Sequence, residues 1–337
     1  EDVEASDAEV LLNTRASELI TDETGAVVGV KAADEKTEYT INAKAVLLAT
    51  GGYGNNKDLL NEEMKSALYY GPASSTGDGI VMATAENVNA ATRLMEYGKR
   101  YPNGIEVSEG IAKSTIAGNI AAFSESAILI NKEGQRVVNE KASNRTILET
   151  ELKQTDGLLY LLMDASTFDI FKGKLATGGI SEGDINGWLD NNGKTTPVFA
   201  HADSLAELAG IVGMDAETLE NTVKTYNTFV QNGKDEEFGK AADFLTMKIG
   251  EEGPYYAFVG ASYIYSTVGG LDVNTDMQVL GSDNATPING LYAVGTDSLG
   301  VLFSEQREYV TYGGAAQGWA YTSGRLAGIS AVNSLGE

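Results

Sequence analysis

Ala45-Val46-Leu47-Leu48-Ala49-Thr50-Gly51-Gly52-Tyr53-Gly54 runs apolar for five residues and then stops on a pair of glycines. An unbroken apolar run of strand length suits a β-strand buried on both faces, as in the sheets of α/β proteins. Glycines at the carboxyl end of such a strand let main chain approach a ligand closely, at the edge where α/β sheets hold cofactors. A tight strand-to-loop turn without a ligand has the same pattern, so this stretch alone leaves both readings open.

On its amino side, residues 9–50 read as strands joined by tight turns. Val10-Leu11-Leu12 and Leu19-Ile20-Thr21 come first, then a turn at Asp22-Glu23-Thr24-Gly25, then Val27–Val30 and Tyr39–Ile41. On its carboxyl side the pattern predicts helices around Asp58–Leu68 and Gly79–Met95, with the loop Ser75-Thr76-Gly77-Asp78-Gly79 between them. Small residues with exposed amides at a helix start suit an anionic or polar group, although a plain capped turn looks the same. From 98 to 266 the texture changes. Ala127–Asn131 and Val137-Val138 flank a turn at Lys132-Glu133-Gly134, a hairpin signature. Two capped helices are expected at 204–212 and 215–232. In the second, Leu219, Val223, Tyr226 and Val230 recur at helical spacing before a C-cap glycine, Gly233. After 266 the first texture returns, with Gly269-Gly270-Leu271, Gly290-Leu291-Tyr292-Ala293-Val294-Gly295 and a small-residue helix from Gly313. The expected organisation is an α/β domain (1–97 and 267–337) interrupted by an α+β insertion (98–266).

Composition narrows the function. The net charge of −24 disfavours a phosphate backbone as partner, so no nucleic-acid binding is expected. Cysteine is absent, which excludes disulfides, thiolate catalysis and cysteine-bound metal within these residues. The single histidine, His201, lies just before the helix start Ser204-Leu205-Ala206-Glu207 and reads as a surface residue; no metal site is expected. No apolar run approaches the ~20 residues of a membrane span. The compartment stays open.

The ordered series Ala49-Thr50-Gly51-Gly52, Thr76-Gly77-Asp78-Gly79, Gly269-Gly270-Leu271, Gly290–Gly295, Gly313-Gly314 and Gly324-Arg325-Leu326-Ala327-Gly328 resembles the fumarate reductase and 3-ketosteroid dehydrogenase superfamily of FAD enzymes. The resemblance covers nearly the whole chain, and its specificity lies in the order of the motifs. It implies a Rossmann-like FAD-binding domain with an inserted capping domain that closes over the flavin. It also implies FAD contacts at Thr50, Gly51, Gly52, Thr76, Gly77, Asp78, Gly79, Gly295, Thr296, Gly313, Gly314, Ala315 and Ala316. A glycine-led last helix would stabilise the negative charge of a reduced flavin. The family's G-x-G-x-x-G segment does not occur in these residues. The expectation is therefore an incomplete FAD domain, preceded by further chain in the whole protein, that alone binds FAD weakly or not at all.

At the catalytic positions the resemblance breaks down. Fumarate reductases of this type clamp a dicarboxylate with histidines and arginines. Here Tyr265-Ser266 stands for a histidine pair, Thr311 for an arginine, and Ile120 and Phe123 for the acid and arginine of a proton path. Arg145 is the remaining candidate for substrate-carboxylate ligand or proton donor; the alternative is a surface arginine paired with Glu140 or Glu149. Arg307 lies in the loop before the last helix. Tyr312 matches a catalytic tyrosine of the ketosteroid dehydrogenases, and Tyr265 is a further candidate, since a phenol can supply a proton once hydride has left the flavin. The implied activity is reduction of an activated C=C bond in an unsaturated carboxylate or enone, not fumarate itself. A ketosteroid-dehydrogenase-like oxidation and a non-catalytic scaffold are the alternatives. The implied partners are a small unsaturated substrate and an electron donor of cytochrome or FMN type, and related enzymes suggest a bacterial exported protein.

Overall fold

A computed structural model describes residues 5–303 and 314–336. Its contacts divide the chain into two units, one of residues 1–64, 71–99 and 266–337, the other of 65–70 and 100–265.

The first unit opens with an antiparallel meander of Arg15–Thr21, Val27–Ala33 and Glu38–Asn42. Its first turn is tied by the Asp22 carboxylate, which accepts from the Thr24 and Ala26 amides at 2.8 and 3.1 Å. Val10–Leu12 is not a strand: the segment is irregular and Leu12 is 76% exposed. With no cross-strand partner, an apolar triplet does not make a strand. The deciding run forms the strand Val46–Leu48, parallel to Pro287–Ala293, which pairs in turn with Gln278–Leu280. Leu48 is buried but Leu47, on the opposite face, is 40% exposed, so that face is uncovered among the described residues; the strand is also hydrogen-bonded along one edge only there. The reading as a strand buried on both faces is thus corrected.

The two helices expected next are also shorter than predicted. Residues 57–68 hold only the turns Lys57–Leu59 and Glu62–Lys65, and the second helix is Asp78–Thr84. That helix ends where Ala85 turns extended and Asn89 takes a left-handed φ of 55°. Thr92–Arg93 then pairs with Gly270–Leu271, so strand pairing wins over local helix propensity. The last element is the helix Ala315–Ser334, lying against Pro287–Ala293 through buried Ser323, Ala327 and Ala331, four residues apart on one face.

In the second unit a mainly antiparallel sheet runs Leu68–Tyr69, Ile111–Ser114, Gly98–Ser108, Tyr255–Thr267, Leu158–Asp164, Ile128–Ile130, with Phe199–Ala202 also paired to Tyr255–Thr267. Leu158–Asp164 is the strand buried on both faces. Leu159, Leu161 and Met163 face one core with Phe168, Phe171, Phe199 and Phe258, while Tyr160 and Leu162 face a second with Leu219, Val223 and Tyr226. This is the period of two of a pleated strand, and each aromatic fully buried this way contributes ~1.5–3 kcal/mol. The helices Leu205–Val212 and Ala216–Asn232 lie within a residue of expectation, capped by Ser204 and Asp215 at their starts and by left-handed Gly233 at the second one's end.

Candidate active site

The glycine signatures of the first unit are drawn together by one residue that sequence reasoning passed over. Asp297 is fully buried in the helical turn Gly295–Leu302. Its carboxylate accepts from the Thr50 amide, from the Thr50 hydroxyl at 2.9 Å and from the Gly51 amide at 3.0 Å. The Thr50 hydroxyl accepts in turn from the Gly79 amide at 3.0 Å. Burial pushes the Asp297 carboxyl up to about 6, and the bonds from Thr50 and Gly51 restrain the rise. A charged residue inside the small and apolar run Ala293–Gly300 was the available signal.

This network changes the reading of the loop at 75–79. The Gly79 amide is taken by Thr50, and a Cβ there would meet the Thr50 hydroxyl at 2.5 Å and Asp297 Oδ1 at 2.9 Å, so glycine is required by close packing. Gly77 donates to the Gly52 carbonyl at 3.1 Å. Thr76 donates to Asp78 at 2.9 Å, and Asp78 receives both ends of the Arg15 guanidinium at 3.0 Å, which holds its carboxyl below the usual range. Thr50, Thr76, Gly77, Asp78 and Gly79 therefore build a scaffold behind the strand end. Gly295 donates to Ser323 at 2.9 Å and Ser323 to the Trp319 carbonyl at 2.6 Å, which anchors the last helix, while Thr296 packs beside Gly52.

Two glycines leave main chain uncovered among the described residues. Among the described residues no heavy atom lies within 4 Å of where a Cβ of Gly51, at φ 93°, would sit, and the same holds for Gly314, at φ 84°. Only glycine adopts such backbone freely. Gly314 heads the helix Ala315–Ser334 as its N-cap, and a glycine has no side chain with which to cap the first amides, near Ala315 and Ala316. Bare backbone at a strand end and an uncapped helix start fit a flat, partly anionic cofactor such as FAD. Arg307, Tyr312 and Gly313 lie outside the described residues.

The second unit holds its own cavity, of about 320 Å³, between the helix Ile116–Ala122 and the start of the helix Asn144–Glu151. Ile116, Ile120, Phe123 and Ile147 give it apolar walls, and Asn119, Ser143 and Asn144 give it polar groups. Asn119 is 1% exposed, and neither end of its amide has a hydrogen-bond partner among the described residues. Leaving such a group unpaired costs ~1–3 kcal/mol. Among the described lining residues the cation is Lys141, whose ammonium sits 4.2 Å over the Phe244 ring and 3.1 Å from the Ser124 hydroxyl. Glu140, in the wall, is held by Arg136 at 2.8 Å and Lys240 at 3.5 Å.

Arg145 is adjacent in sequence but not among the lining residues. Its side chain is 63% exposed and pairs with Glu149 at 2.8 Å, the surface pairing weighed as the alternative. Tyr265 belongs to a tyrosine cluster elsewhere in the unit, 5.2 Å edge-on to Tyr101, with Tyr263 and Tyr70 adjoining. Burial pushes the Tyr263 phenol up to about 12. His201 is half-buried on the strand Phe199–Ala202, its ring 6.0 Å from that of Tyr256.

An α/β unit with glycines at its strand end, carrying a separate α+β insertion, is the make-up of an FAD-binding chain. The chain belongs to the FAD binding domain family, which matches residues 1–307. It is 36% identical over 292 residues to a urocanate reductase of Eggerthella lenta, covering 85% of this chain and 45% of that protein. It is 30% identical over 325 residues to a probable fumarate reductase of Shewanella frigidimarina, covering 95% of this chain and 50% of that one. The open conformation of a flavocytochrome c3 fumarate reductase superposes with a TM-score of 0.74 at 28% identity, over 98% of this chain and 54% of that one. The chain thus spans about half the length of these relatives. Among the described residues no helix is long and apolar enough to cross a membrane.

Proposed function

We propose that the whole protein is an FAD-dependent reductase that saturates an activated C=C bond of an unsaturated carboxylate or enone other than fumarate. The observation that carries this reading is the cavity of the insertion. Ile120 and Phe123, which stand where the fumarate reductase pattern has an acid and an arginine, line one cavity with Asn119 and Asn144. A dianion such as fumarate needs paired cations to offset its desolvation. Among the described lining residues Lys141 is the one cation not already paired with a carboxylate, where a dianion needs two, and Ile116, Ile120, Phe123 and Ile147 suit a ring or alkyl group.

When bound, FAD supplies the hydride. The chain's own part is to hold the cofactor against the bare main chain of Gly51 and Gly314, to keep the strand end rigid through Asp297, and to deliver a proton. For the proton we assign Arg145 or Tyr312, with Tyr265 and Arg307 as further polar groups of the site. The reducing electrons would come from a cytochrome or FMN-type donor. The test is anaerobic oxidation of reduced methyl viologen by the full-length enzyme, with fumarate, urocanate and ring-bearing enoates or enones as acceptors. Turnover with ring-bearing acceptors well above fumarate is expected; fumarate as the best acceptor refutes the reading.

A further inference from the structure

Asn119 is an expensive residue to keep where it is. It sits in the helix Ile116–Ala122, 1% exposed, with its amide nitrogen and its amide oxygen both lacking a hydrogen-bond partner among the described residues. Buried side-chain amides are nearly always paired, and the exceptions call for a reason. A leucine would fill a similar volume without the unpaired groups. Asn119 is one of the residues lining a cavity whose other walls include Ile120, Phe123 and Ile147, so a ligand with an apolar body seated there is the candidate to supply the group the amide lacks.

We propose that Asn119 determines specificity by reading a neutral substrate end group that carries both a donor and an acceptor, such as a primary amide or an azole, in preference to a carboxylate. An asparagine amide offers one donor group and one acceptor, and its complement must supply the reverse pair. A carboxylate supplies acceptors only and would set one of its oxygens against the Asn119 carbonyl oxygen. Of the two charged groups in the cavity wall, Lys141 is a cation and Glu140 an anion. The Lys141 ammonium is held over Phe244 and by Ser124, and Glu140 is itself an anion, matched by Arg136 and Lys240. This inference rests on the proposed reductase reading, since it names the end group of that enzyme's substrate, but its test does not require turnover.

The probes are benzamide, benzoate and benzamidine, which share a ring and differ in the end group, titrated by calorimetry into the 337-residue chain. Benzamide is expected to bind about 10-fold tighter than benzoate, the effect of two neutral hydrogen bonds. Asn119→Leu should abolish that preference while melting at the same temperature or ~2–4 °C higher, because an unpaired buried amide has been removed. Asn119→Asp should shift the preference to benzamidine, whose end group donates from both nitrogens. Tighter binding of benzoate, no binding of any probe, or a preference unchanged by Asn119→Leu would overturn the inference. So would a marked fall in melting temperature on Asn119→Leu, which would give the amide a structural partner. Failure of viologen-coupled reduction by the full-length enzyme, with the benzamide preference intact, would remove the reductase reading alone.

Discussion

Asp297→Asn separates the electrostatic cost of the buried carboxyl from its hydrogen bonds. In the folded chain this carboxyl titrates near 6, against 3.8 for an unperturbed aspartate. The difference is close to two pH units, which at 1.36 kcal/mol per unit amounts to about 3 kcal/mol. The folded state holds this proton more tightly than the unfolded state. Between pH 4 and 6 the folded state therefore binds more protons, and stability falls as pH rises through that window. An asparagine carries no such penalty. Its oxygen can take the place of the carboxylate oxygen that accepts from the Thr50 and Gly51 amides. Its NH₂ would then face the Thr50 hydroxyl, which donates to Asp297 at 2.9 Å in the wild type and would have to accept instead. That mismatch costs ~1 kcal/mol. The variant is expected to be about 1 kcal/mol less stable than wild type at pH 4 and about 2 kcal/mol more stable at pH 7. Urea unfolding at intervals from pH 4 to 7 measures this difference. A Trp188→Phe background leaves Trp319 as the reporter, whose indole donates to Ser298 at 3.3 Å, next to Asp297. A difference that stays flat across the range would refute the reasoning, because the other carboxylates are common to both proteins.

Three further outcomes follow from the same geometry. Gly79→Ala puts a methyl group 2.5 Å from the Thr50 hydroxyl and should destabilise the first unit by ~1–3 kcal/mol, read as a lower urea midpoint for Trp319 emission. Arg136→Met strips the guanidinium from buried Glu140 and Asp235, 2.8 and 2.9 Å away, and should cost ~3–5 kcal/mol in the second unit, read through Trp188; a loss under 1 kcal/mol would mean that the network relaxes freely. Arg145→Ala should change stability by less than ~0.5 kcal/mol, since its partner Glu149 is exposed. In the full-length enzyme the same change lowers kcat/KM at least ~10-fold if Arg145 binds the substrate carboxylate, and kcat by ~10²–10⁴ if it is the proton donor; unchanged turnover, with Tyr312→Phe strongly impaired, moves the acid to the tyrosine.

The motifs and the long local elements are legible in the amino-acid sequence alone. The order of glycine signatures from Thr50 to Gly328 identified the FAD-type unit, because glycine is demanded wherever main chain must pack closely or take a left-handed turn, and such demands do not shift along the chain. The helices Leu205–Val212 and Ala216–Asn232 were legible because their caps and apolar periodicity lie within the segments themselves. Residues 79–95 read locally as one helix but are not one, since the pairing of Thr92–Arg93 with Gly270–Leu271 comes from nearly 180 residues away and leaves no local trace. Val46–Leu48 and Leu158–Asp164 are both apolar runs, yet among the described residues only the second has partners on both edges and a packed core on each face; burial is decided by what surrounds a strand. The site divides in the same way. Residue types name the Thr50 and Gly79 segments, but only the fold shows that Asp297 joins them, that Arg145 turns out to Glu149, and that Asn119 is buried with its amide unpaired among the described residues. Which charges meet, and which polar groups are left without a partner, depends on distances between residues far apart in sequence, and those exist only in the folded chain.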